Sequence, residues 1–234
     1  MSVGSKSLTE NAGADVTRNL PENKAVKRMS PGRAWVETLW VFALLESWQW
    51  TARGVIHSIL VVLLLVSPIA LTILGGYDRK QLGLTWPSRK VTLGIIAAGF
   101  AIAIAFPLGA RLLGHPVPAD SNWPRLSNIV PYLLWALFQQ FLLQSFIFLR
   151  MEVAAGSSLA VWISSAFFTF AHLPNLPLTF LTLFGALFFT DLFRRYRSIY
   201  PLGIAHFLMG ISIAYSFPTS LMHHMRVGLS FWKM

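Results

Sequence analysis

Not one of the 234 residues is a cysteine, which excludes structural disulfides and thiolate chemistry. Charge is almost as scarce. Asp, Glu, Lys and Arg make up 12% of the chain, where soluble domains carry about 25%. The period-two alternation over about ten residues that marks a transmembrane β-barrel is missing, so that class is excluded. No internal repeat is visible, which argues against the commonest transporter architectures. The net charge of +10 does not point to nucleic acid, because basic flanks in an apolar chain meet anionic headgroups and set orientation.

What is present is apolar. Hydrophobic residues reach 55%, and several runs of about 18 residues or more carry almost no charge. The chain therefore reads as all-α, a polytopic helical membrane bundle of about six spans with an interfacial N-terminal helix. It is expected to be a multi-pass protein of the cell (inner) membrane, with membrane lipid as its surroundings and both termini on the cytoplasmic side.

Residues 1–33 form a polar, basic tail without a signal-peptide core. Residues 34–53 hold four tryptophans (Trp35, Trp40, Trp48, Trp50) with Glu37 and Glu46, a composition suited to a helix lying along the headgroups. Two spans fall within 54–127, at about 54–74 and 91–113, with His57 and His115 near span ends. A core follows at 128–217, and 218–234 is a tail holding His223 and His224. Asp191 has Arg194 and Arg195 at helical ion-pair spacing and reads as a helix-end charge cluster.

The core opens with NIVPYLLWALFQQFLLQSFIFLR, Asn128 to Arg150, long enough to cross ~30 Å of hydrocarbon at ~1.5 Å per residue. Gln139, Gln140 and Gln144 stand in its middle, where lipid offers no hydrogen-bond partner. Such amides either glue helices together or form a site. His172 is placed in the last turn of a fourth span, before Pro174, and His206 lies in a sixth. An intervening span returns the chain, so both imidazoles can reach one layer of the bundle. A pair of neutral imidazoles suits a divalent metal such as zinc, a haem iron or the activation of a water, and spacing leaves all three open.

QQFLLQ (Gln139–Gln144), FTFAH (Phe168–His172) and HFLMG (His206–Gly210) on successive helices resemble the EExxxR, FxxxH and HxxxN/D motifs of the CPBP family. That family holds the CAAX-type intramembrane proteases and the bacteriocin-processing or immunity proteins. The resemblance covers about residues 128–216. It implies a membrane endopeptidase acting on a protein or peptide, with a water activated at His172 and His206, which could also hold a metal. By position the base would fall on Gln139 and its partner on Gln140, while Gln144, Phe168 and Gly210 would meet the substrate.

The departures are specific. Glutamine cannot accept a proton as a general base, and Gly210 has no side-chain donor where an asparagine would stand. The nearest carboxylate, Glu152, is 13 residues past Gln139, about 20 Å along a continuous α-helix. The resemblance thus leaves an altered peptidase beside a pseudoprotease that binds a membrane client, with a haem-binding redox protein as a third reading.

Overall fold

The computed structural model describes residues 29–114 and 126–232, and every regular element among them is helical. In chain order these are α1 (Pro31–Trp50), α2 (Val55–Leu74), α3 (Arg89–Leu112), α4 (Leu126–Gln140), a π-helical stretch Phe141–Phe148, α5 (Leu149–Ala155), α6 (Ser157–Phe170), α7 (Leu176–Tyr196), α8 (Tyr200–Ser216) and the short α9 (Thr219–Met222). Most of the N-terminal tail, and His115 with its loop, lie outside the described residues.

Four helical stretches are long and apolar enough to cross a membrane: α2, α3, α7 and the composite run Ile129–Ala155. Adding the shorter apolar helix α6 and the 17-residue central helix α8 gives about six, as expected, in an all-helical bundle. Large side chains such as Ile59, Val62 and Val66 on α2, Phe100 and Ile104 on α3, and Phe180 and Phe184 on α7 face outward. In a bilayer they meet lipid rather than water.

Helix α8 is the inner post. α3 and α4 both pack on it, α6 packs along α7, and α1 packs on α2 and α5. The α8 contacts depend on missing side chains. A Cβ on Gly99 of α3 would collide with Ala205, and one on Gly203 would collide with Leu137 of α4. Small residues let backbones approach where no hydrophobic effect drives helices together.

Helix α1 starts as its sequence dictates. Ser30 caps it by accepting a hydrogen bond from the Arg33 amide at 3.2 Å, and Pro31 fits the first turn, where no donor is needed. The two carboxylates that argue for a headgroup position behave differently. Glu46 accepts a hydrogen bond from Trp50 Nε1 on the exposed side, at 3.2 Å. Glu37 turns into the bundle, where its Oε2 lies 2.8 Å from Arg150 Nε and 2.7 Å from Arg150 Nη2. Arg33 Nε holds the other oxygen at 2.6 Å. The Arg150 guanidinium also lies 3.5 Å from the Phe146 ring centroid, and its side chain is fully buried.

This pair ties α1 to α5, and removing one partner strands a buried charge. Glu37→Ala is expected to cost about 3–5 kcal/mol of stability, read as a loss of thermal stability in mild detergent. A joint Glu37→Met/Arg150→Met replacement is expected to cost less than Glu37→Ala alone. A Glu37→Ala protein as stable as the parent would rule out this role.

Candidate active site

The long glutamine span is expected to be one continuous α-helix, and it is not. The ladder widens at Phe141–Phe148 into a π-helix before α5 resumes. Such segments are rare and occur most often at functional sites. Every residue from Leu142 to Phe148 is buried, so this is the most enclosed part of the span.

The polar residues form a relay across three helices. Gln144 Nε2 donates to Thr190 Oγ1 on α7 and to Gln140 Oε1, both at 3.3 Å. Gln140 Nε2 lies 3.2 Å from Nδ1 of His206 on α8. Turning the Gln144 amide round would orphan two N–H donors, whereas the present orientation leaves only its carbonyl oxygen without a partner. With its carbonyl taken by Gln144, Gln140 presents an N–H to His206. The imidazole Nδ1 therefore accepts, and in the neutral ring Nε2 carries the proton.

His172 has the opposite arrangement. Helix α6 ends at Phe170, so His172 sits in the turn beyond it rather than in its last turn. Its Nδ1 donates to the Phe168 carbonyl at 2.6 Å, which leaves Nε2 as an acceptor. The Phe168 ring touches both imidazoles, with centroids 4.7 Å from His172 and 6.0 Å from His206. One ring thus offers a lone pair and the other an N–H.

Both histidines line a cavity of about 850 Å³, together with Gln139, Phe168, Tyr132 and Gly210. Gln140 and Gln144 are fully buried outside that lining. Gln140 reaches the cavity only through His206. Gln144, expected to meet substrate, braces Gln140 from behind. No Asp or Glu is among the described lining residues. Glu152 is held by Arg197 at 2.6 Å, and Asp191 by Arg194 and Arg195 at 2.6 and 2.7 Å.

The donor set does not fit a metal. A catalytic zinc takes three protein ligands, and no cluster of three or more His, Cys, Asp or Glu exists among the described residues. The relay also puts a proton on the His206 nitrogen that would have to ligate. The same proton argues against a bis-histidine haem.

Sequence reasoning missed two members of this site. Tyr132 lies seven residues before Gln139, two helical turns away on the same face, a spacing that could have drawn attention to it. Thr190 offered no signal, being one hydroxyl beside a charge cluster. Of the remaining histidines, His57 packs near Trp48 with centroids 6.0 Å apart and His223 against Phe231 at 4.1 Å. His224, assigned from the sequence to the C-terminal tail, reaches the cavity lining.

An all-helical bundle with two half-buried imidazoles at an internal cavity is consistent with an intramembrane protease-like function. The comparison with family models makes this specific. Residues 121–212 match the Rce1-like family, described as type II CAAX prenyl endopeptidase, and this segment contains α4 and the residues of all three motifs. The match is consistent with a CPBP family member, and glutamines stand in this chain where that family's motif has its glutamate pair. No curated protein and no solved structure matches the chain.

Two outcomes test the site chemistry. Purified protein is expected to hold no stoichiometric zinc, and His172→Ala and His206→Ala to leave metal content unchanged. One zinc per chain, lost in both variants, would refute the donor-set argument. In histidine ¹⁵N spectra, His206 is expected as the Nε2–H tautomer in the parent and as the Nδ1–H tautomer in Gln140→Glu, because a carboxylate can only accept. An Nδ1–H signal already present in the parent would contradict the relay.

Proposed function

We propose that this protein is a CAAX-protease-like membrane endopeptidase that takes a segment of another protein into the bundle and hydrolyses it. The observation that carries the reading is the opposed pair of imidazoles on the cavity, His172 with a free lone pair and His206 with an N–H. A water accepting from His206 Nε2–H and donating to His172 Nε2 would be both oriented and basic. As its oxygen bonds to the peptide carbonyl carbon, its proton passes to His172. The C–N bond then breaks, and His172 returns that proton to the leaving amine. Gln139, on the cavity wall, has both a donor and an acceptor for the substrate backbone.

Histidine thus replaces the expected glutamate as base, and Gln140 is a positioning residue acting through His206. Hydrolysis is expected to be slow, because no carboxylate supports the imidazolium that forms. That lack favours a second reading, a pseudoprotease that holds a membrane client without cutting it. The glutamines would then serve as hydrogen-bond partners for the client.

The test reconstitutes the protein in lipid with a prenylated peptide ending in a CAAX sequence, the substrate type named in the family description. Cleavage is expected, falling about 10²–10⁴-fold in His172→Ala. Saturable binding without cleavage, unchanged in His172→Ala, would establish the second reading instead. Gln139→Glu separates a working altered site from a lapsed one. No gain in rate is expected from a site based on His172, while a large gain would mean that the glutamine had silenced an ordinary glutamate base.

A further inference from the structure

Gly210 stands one helical turn after His206 on the same face of α8, where the family pattern would put an asparagine or aspartate. The structure explains what fills that place. A Cβ on Gly210 would collide with the hydroxyl oxygen of Tyr132, and it would lie 3.0 Å from Tyr132 Cζ. The phenol thus crosses from α4 and lays its O–H over the bare Cα of Gly210. Its ring is steadied by Phe207, with centroids 5.8 Å apart. Tyr132 lines the same cavity as both histidines, and its hydroxyl is not among the buried polar atoms that lack a partner. No hydrogen bond from this hydroxyl to another described residue is present. An O–H held by packing alone beside a cavity is free to serve what enters it.

We infer that Tyr132 is the hydrogen-bond donor to the substrate carbonyl at this site, and that Gly210 is the residue that admits it. This rests on the reading of the cavity as a peptide-hydrolysing site. In that chemistry the carbonyl oxygen gains negative charge as water adds, and a fixed donor there acts mainly on the transition state. A neutral phenol can stabilise that oxygen without a formal charge having to be buried in the bundle. The bare Cα on α8 and the tyrosine on α4 thus work as one unit, since a side chain at position 210 would displace the phenol.

The experiment compares the parent, Tyr132→Phe, Gly210→Asn and the double variant Tyr132→Phe/Gly210→Asn with the prenylated CAAX peptide in lipid. Removing one such donor is expected to lower kcat about 10²-fold with KM nearly unchanged. Gly210→Asn alone drives its Cβ into the tyrosine hydroxyl and is expected to lose activity too. In the double variant the obstructing oxygen is gone and the asparagine amide can donate, so at least part of the rate is expected to return. A purely structural tyrosine would give no such rescue. Tyr132→Phe at the parental rate would overturn the inference while leaving the peptidase reading intact. If the parent binds the peptide uncut, a ¹³C label on the peptide carbonyl replaces the rate. Its infrared band is expected at lower frequency in the parent than in Tyr132→Phe, and equal frequencies would overturn the inference. A parent that neither cuts nor binds the peptide overturns the functional reading itself, before any tyrosine variant is considered.

Discussion

Everything about the site depends on how buried amides are satisfied where neither water nor lipid can help. Gln144 spends both N–H groups on Thr190 and Gln140, and this turns the Gln140 amide so that its N–H meets His206. The consequence is chemical as well as structural. A glutamate in place of Gln140 would accept a proton from Nδ1 and leave Nε2 basic, whereas the glutamine donates and places the proton on Nε2. The exchange of one oxygen for one nitrogen therefore decides whether the imidazole Nε2 offers a lone pair or an N–H.

The carboxylates are distributed in keeping with this. Three of them are ion-paired to arginines at helix ends or at a helix–helix tie: Glu37 to Arg33 and Arg150, Glu152 to Arg197, and Asp191 to Arg194 and Arg195. No described carboxylate lines the cavity, whose polar groups are mostly neutral, with Arg226 as a cation. Neutral polar residues cost far less to enclose than an unpaired charge, and hydrogen bonds within the bundle offset that cost. The same economy extends to Tyr132, whose phenol brings a donor to the cavity without a charge.

Close approach is the second theme. Helix α8 meets α3 at Gly99 and Ala205, and meets α4 at Gly203 and Gly210. These contacts fix where α4 lies, and so where Tyr132, Gln139 and Gln140 stand relative to His206. The π-helical stretch that follows changes the register of the remaining span. α-Helical spacing therefore cannot by itself place Gln144 relative to Gln139 and Gln140, which precede the widened stretch.

The sequence by itself determined the all-helical membrane class, the approximate span positions and the residues able to carry chemistry. These depend on local quantities: apolar run length, scarcity of charge, and polar side chains inside hydrophobic runs. Pairing such as Asp191 with its arginines was legible for the same reason, since partners three and four residues apart need no knowledge of the fold. Tertiary structure alone decided the inward turn of Glu37 toward Arg150, the relay through Thr190, and the division of the glutamines into one cavity residue and two buried ones. It also revealed that Gly210 makes room for Tyr132. Each of these is a contact between helices far apart in the chain. Its existence depends on interhelical distance and on the hydrogen-bond direction of an amide, neither of which is encoded in residue spacing.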